Sequence, residues 1–135
     1  MRSGAAGRIV AIVAVLLLAA CAANPKPRRP EARPAPKIGT TDEGQASWYG
    51  PDYQGKRTAC GDRFDQDALT AAHGTWPCGT RVKVTLLSTR RSVVVTINDL
   101  FPGHKGRLID VSRGAARRIG LIGPGTGRVR LEVVR

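Results

Sequence analysis

The run Ser92-Val93-Val94-Val95-Thr96-Ile97 is β-branched at every position after its serine. Two heavy atoms on Cβ stiffen χ1, disfavour the helix and suit a pleated surface, so this segment is a strand. Its unbroken run predicts burial on both faces. Upstream, Val82-Lys83-Val84-Thr85 alternates, and the intervening Ser88-Thr89-Arg90-Arg91 reads as a turn, which makes the pair a hairpin. Gly127-Arg128-Val129-Arg130-Leu131-Glu132-Val133-Val134 alternates as a closing strand. One helix is predicted: Ser112 caps it, Ala115, Ala116 and Ile119 share a face, and Gly120 stops it. The 16 glycines lie scattered through the loops, as a tightly wound small barrel requires. The folded part is thus a mainly β domain of short strands with one or two short helices, from about Gln45 to Arg135.

The 135 residues leave room for one small domain, and the first of them read as a targeting segment. Arg2 and Arg8 precede an apolar run of twelve residues, Ile9 to Ala20. That is short of the ~20 residues a membrane-spanning helix needs. The run ends in Leu18-Ala19-Ala20-Cys21, which resembles the bacterial lipobox. This implies a signal peptide over residues 1–20, a lipidated Cys21 and attachment to a membrane without a spanning helix. Acyl chains hold such a domain on a bilayer at ~0.8 kcal/mol per buried methylene. Ala22 follows the cysteine where inner-membrane lipoproteins typically carry aspartate, which points to the outer membrane, facing the periplasm. Residues 21–44 then form a Pro- and Arg-rich linker (Pro25, Pro27, Pro30, Pro34, Pro36) that cannot bury a core. Roughly 20 residues at ~3.1 Å each span some 60 Å, enough to reach the cell-wall layer.

The formal net charge is +12, and from Gln45 onward fifteen Lys and Arg face seven Asp and Glu. Such a surface favours polyanions. Nucleic acid is excluded as a partner by the missing motifs: no zinc-finger spacing, no helix-turn-helix pattern, no aromatic-rich strand pair.

With Cys21 assigned to lipid, Cys60 and Cys78 remain. An even pair in an oxidising compartment reads first as a disulfide, whose loop closure is worth ~3 kcal/mol on the chain-entropy model. A metal site would need two further ligands, and His73 and His104 are not spaced to supply them. No cofactor is called for.

The polar residues form a constellation. Ala46-Ser47-Trp48-Tyr49-Gly50 opens the domain. Arg57-Thr58-Ala59-Cys60-Gly61-Asp62, Asp65 and Leu69-Thr70-Ala71-Ala72-His73 follow, and Ile97-Asn98-Asp99 ends the apolar strand on a carboxylate. Taken singly, each polar side chain has an ordinary structural role, as a turn cap or a satisfied histidine. Together with Pro77, Gly79-Thr80 and Arg107-Leu108-Ile109-Asp110-Val111-Ser112, they resemble the rare lipoprotein A family over the whole of Gln45 to Arg135.

That resemblance implies a six-stranded double-psi β-barrel related to expansins. It also implies lytic transglycosylase activity on peptidoglycan glycan strands, chiefly those stripped of stem peptides, by a monomer. Residue by residue, Asp62 stands where the family's acidic residue stands, His73 matches its histidine, Asp65 the nearby aspartate, and Asp99 the aspartate that opens Asp-Arg-Gly-Pro. Trp48, Tyr49, Tyr53 and Trp76 supply aromatic surface for glycan. Three departures stand out. Asp62 is one methylene shorter than the usual glutamate. Asp99-Leu100-Phe101-Pro102 lacks the family's arginine. Cys60 and Cys78 replace other residue types and match the bridged cysteines of expansin- and barwin-like barrels. An expansin-like glycan binder without cleavage is the alternative these departures support.

Overall fold

The computed structural model describes residues 34–101 and 106–135. The signal segment, Cys21, most of the linker, Pro102 and His104 lie outside the described residues.

The hairpin, closing strand and helix take the places the sequence predicts. β3 (Arg81–Leu86) and β4 (Arg91–Asp99) pair antiparallel, with Val82 opposite Val95 and Val84 opposite Val93. The closing strand is β6 (Thr126–Val134), and α1 spans Arg113–Ile119. The Ser112 hydroxyl accepts from the Ala115 N–H, and Gly120 closes the helix in the left-handed region at φ 83°. Three further strands complete the set: β1 (Thr41–Tyr49), β2 (Thr70–His73) and β5 (Arg107–Ser112). β1 starts at Thr41, so its first four residues come from the stretch read as linker. They pair with β6, Thr41 opposite Glu132 and Gly44 opposite Val129.

The six strands close into a barrel in the order β1-β5-β2-β4-β3-β6. Two neighbouring pairs, β1·β5 and β2·β4, run parallel, and the other four antiparallel. Each parallel pair joins strands far apart in sequence, so the chain crosses over between them. Among the described residues every strand and the core cluster lie between Thr41 and Val134, so residues 34–135 carry a closed barrel with its own core.

The inward positions of all six strands fill the barrel with Ala46, Ala71, Val82, Val84, Val95, Ile97, Ile109, Val111, Val129 and Leu131, none more than 1 % exposed. Ala115, Ala116 and Ile119 of α1 join that cluster. β4 is not buried on both faces. Val93, Val95 and Ile97 are buried, while Val94 and Thr96 are half-exposed. Its continuous β-branching therefore serves strand stiffness more than double-sided burial.

Candidate functional site

The site begins with a fault in the β2·β4 ladder. Ala71 pairs with Ile97, but the next residue, Ala72, pairs with Asp99, leaving Asn98 as an extra residue in β4. Such a bulge re-aims the side chain that follows it. Ile97 stays in the core and Asp99 emerges on the outer face beside Ala72. On its other side Ala72 pairs with Asp110 of β5, and Asp110 pairs with Ser47 of β1. Ser47, Asp110, Ala72 and Asp99 thus stand in one line across four adjacent strands.

Two different devices hold the two carboxylates of this line. Asp99 Oδ1 accepts the N–H of Ala59 at 2.9 Å and of Leu100 at 3.0 Å, and its Oδ2 takes no hydrogen bond from any described residue. Asp110 has both oxygens engaged: Ser47 Oγ donates to Oδ1, and Arg107 Nη2 approaches Oδ2 at 3.1 Å. Its side chain is 14 % exposed. The arginine and the hydroxyl fix its side chain in place.

Over Asp99 lies the 57–63 turn. The Thr58 N–H donates to the Asp62 carbonyl at 2.7 Å, Gly61 adopts φ 101°, and Arg57 Nη1 caps the Gly61 carbonyl. The Cys60 N–H donates to the Asn98 carbonyl, and Asn98 Nδ2 reaches Asp62 Oδ2 at 3.3 Å. Cys60 and Cys78 form a disulfide. The neighbouring Gly79 N–H donates to the Ile97 carbonyl at 2.7 Å, so both halves of the bridge are fastened to the end of β4. Asp62, exposed to solvent, is held beside Asn98, the residue preceding Asp99.

Tyr49 stacks on Phe64 (centroids 4.5 Å apart) and meets Tyr53 edge-on at 5.6 Å. Its hydroxyl is buried and without a partner among the described residues. Burial first, then the charges of Asp99 and Asp110, push its pKa upward, so the phenol stays protonated. Tyr49 lines an open cavity of about 380 Å³ with Ser47, Tyr53, Arg107 and Asp110. Tyr53 is 51 % exposed and carries Lys56 over its ring, a flat surface of the kind a sugar stacks on. Trp48 packs partly against the core, and Trp76 stacks on His73 at 4.3 Å.

Asp62 and Asp99 thus meet around Asn98, while Asp65 and His73, the residue after Ala72, have other hydrogen-bond partners. Asp65 accepts the Asp67 N–H at 3.0 Å and shapes the turn that leads into β2. His73 pairs with Ile109 and shares its face, is 3 % exposed, and accepts the N–H groups of Thr75 and Trp76 on Nδ1. A neutral ring so placed carries its proton on Nε2. Burial lowers its pKa against an opposing pull from Asp42. Among the described residues no hydrogen bond or ion pair joins His73 to Asp62, Asp65 or Asp99. The Ser47–Asp110–Arg107 set is absent from the catalytic candidates read off the sequence. The signal was present: Asp110 is the one charged residue inside the apolar stretch Leu108-Ile109-Asp110-Val111. Among the described residues no group of three His, Cys, Asp or Glu could hold a metal ion.

A closed six-stranded barrel with two crossed parallel pairs is a double-psi β-barrel. The chain belongs to the lytic transglycolase family, whose model matches residues 41–131. It is 60 % identical over 92 residues to the "Probable endolytic peptidoglycan transglycosylase RlpA" of Synechocystis sp., covering 68 % of this chain and 29 % of that protein. It is 50 % identical over 97 residues to the endolytic peptidoglycan transglycosylase RlpA of Campylobacter jejuni, covering 72 % of this chain and 35 % of that one. The chain therefore spans about a third of the length of these curated relatives. Among solved structures, a Streptomyces papain inhibitor superposes with a TM-score of 0.59 at 24 % identity, over 73 % of this chain and 97 % of that one. The expansin of Clavibacter michiganensis superposes with a TM-score of 0.57 at 26 % identity, over 71 % of this chain and 51 % of that one.

Proposed function

We propose that this chain is a peptidoglycan lytic transglycosylase, held at the outer membrane by lipid on Cys21 and working through the Asp62–Asp99 end of the barrel. The observation that carries the reading is the clamp on Asp99. One oxygen is fixed by two backbone N–H groups and the other takes no hydrogen bond from the described residues, directly beside the turn that bears Asp62. The full-length relatives at 50 % identity and above support the activity.

The chemistry divides between the two carboxylates. Asp62, held by one long contact from Asn98, is the acid–base group of this reading. It protonates the glycosidic oxygen, the C1–O bond breaks, and the leaving sugar departs as an alcohol. Asp99, fixed by its two N–H donors, faces the positive centre that develops at C1. Asp62 then takes the proton of the sugar's own 6-hydroxyl as O6 closes on C1, giving a 1,6-anhydro end without water. One acid–base group serves both halves, unlike the two-carboxylate hydrolases. Tyr53 offers the stacking surface alongside, and the preferred strands are peptide-poor.

The test is digestion of purified sacculi, intact and amidase-stripped, by residues 34–135, with fragments read by mass spectrometry. Anhydromuramyl products should appear and fall by about 10²–10⁴-fold in Asp62→Asn, the range for losing a positioned acid–base group. Retention on sacculi without products would favour instead the expansin-like binder, which the exposed Tyr53 and Lys56 also suit.

A further inference from the structure

The two ends of the barrel carry charge in different arrangements. Asp42, Asp62 and Asp99 lie among Arg57, Arg63, Arg81 and Arg107 toward the end where β4 finishes and β1 begins. At the other end, the β3–β4 turn, the last turn of α1 and the start of β6 come together. The Thr89 hydroxyl donates to the Ile119 carbonyl at 2.8 Å, and the Leu87 N–H donates to the Arg128 carbonyl at 3.0 Å. The Arg91 guanidinium lies over Gly120, with Nη1 3.7 Å from the position a β-carbon there would take. Arg90, Arg91, Arg117, Arg118 and Arg128 are therefore gathered at one end, all exposed. Arg117 and Arg128 have only long approaches to carboxylates, 3.8 Å to Asp67 and 3.9 Å to Glu43. Arg90, Arg91 and Arg118 have no carboxylate within 4.0 Å among the described residues. In their midst Leu87 is 39 % exposed.

Part of this is ordinary helix chemistry, since cations in a last turn suit the carbonyl end of the dipole. That accounts for Arg117 and Arg118 but not for Arg90 and Arg91, which belong to a hairpin turn. Arg90 moreover occupies the left-handed region at φ 58°, where glycine or asparagine is the easier residue. Five guanidinium groups near one exposed leucine, three of them without a carboxylate among the described residues, match a bilayer interface: cations meet phosphate and the apolar side chain meets the acyl boundary.

We propose that this arginine end of the barrel docks on an anionic phospholipid surface. Docked there, the barrel presents the Asp99 end away from the bilayer by the length of β4, roughly 27 Å at 3.3–3.4 Å per residue. The carboxylates then face the wall rather than the membrane. A linker entering at Thr41, on the far end, is long enough to run back to the bilayer. The surface stands independently of the transglycosylase reading, because it shares no residue with the Asp62–Asp99 end.

The test is co-sedimentation of residues 34–135 with vesicles of phosphatidylcholine alone and with added phosphatidylglycerol, with purified sacculi in parallel. Wild type should bind only the phosphatidylglycerol vesicles and release in high salt. Arg90→Asn with Arg91→Gln, two basic side chains removed at a site where asparagine tolerates the backbone, should weaken binding about thirtyfold. Arg118→Gln alone should weaken it about fivefold, and both variants should digest sacculi as wild type does. Failure to bind anionic vesicles, binding undiminished in the variants, or arginine-dependent binding to sacculi alone would overturn the proposal. None of these results bears on cleavage, which the sacculus digestion reads separately.

Discussion

Asp99 of β4 and Asp110 of β5 pair in register with the two sides of the same residue, Ala72, so one short side chain separates two carboxylates on the outer wall of the barrel. Among the described residues Asp99 keeps one oxygen without a hydrogen bond, whereas both oxygens of Asp110 are engaged. Both charges act on Tyr49, whose buried hydroxyl remains protonated between them.

If Asp110 contributes its charge beside Asp99, Asp110→Asn should lower anhydro-product release by about 10²-fold, in the range for removing a preorganised electrostatic group. Ser47→Ala, which removes one hydrogen bond to the same carboxylate, should have a smaller effect of about tenfold. Initial rates on amidase-stripped sacculi give the comparison. Equal rates for wild type and Asp110→Asn would confine its role to holding Arg107.

Gly114 sits in the first turn of α1, where alanine ordinarily favours a helix. Here a β-carbon would collide with the Asp67 backbone carbonyl, and the Gly114 N–H donates to the Gln66 carbonyl at 2.8 Å. Gly114→Ala should therefore destabilise the domain by about 1–3 kcal/mol, the ordinary cost of overpacking. Denaturant unfolding measures it, and an unchanged midpoint would show that the 66–68 turn yields at little cost.

Removing the Cys60–Cys78 bridge by paired Ser substitution should cost about 3 kcal/mol of stability. It should also reduce turnover beyond what unfolding explains, because the bridge fixes the Asp62 turn to the end of β4. Thermal unfolding and product release at a temperature where the variant is fully folded separate the two effects.

Burial lowers the pKa of His73, so the folded chain binds a proton there less readily than the unfolded chain. Stability should be complete above the ordinary histidine value of about 6.5 and decline as pH falls below it toward the folded value. His73→Gln, which keeps an acceptor for the Thr75 and Trp76 N–H groups, should flatten that dependence. Melting temperatures on either side of pH 6.5 decide it, and parallel curves for the two proteins would exclude His73 as the titrating group.

Three strands, the helix and the bridge were legible because each rests on local chemistry, whereas β1, β2 and β5 carried no such local pattern. Continuous β-branching stiffens β4, alternation marks β3 and β6, Ser112 and Gly120 bound α1, and the only two cysteines of the domain pair. Proximity of Asp62 to Asp99 was legible only through resemblance, since a turn and a strand end far apart in sequence have no local reason to meet.

What the tertiary structure alone decided is which polar residues share a face. One extra residue in β4 turns Asp99 outward beside Ala72, and the parallel β1·β5 pairing places Ser47 against Asp110. The same register sends His73, the residue after Ala72, to the core side. A strand's side chains alternate with a period of two, so a single inserted residue exchanges inside for outside. No sequence pattern marks where a closed barrel will place that insertion, because the register is settled by all six strands packing one core together.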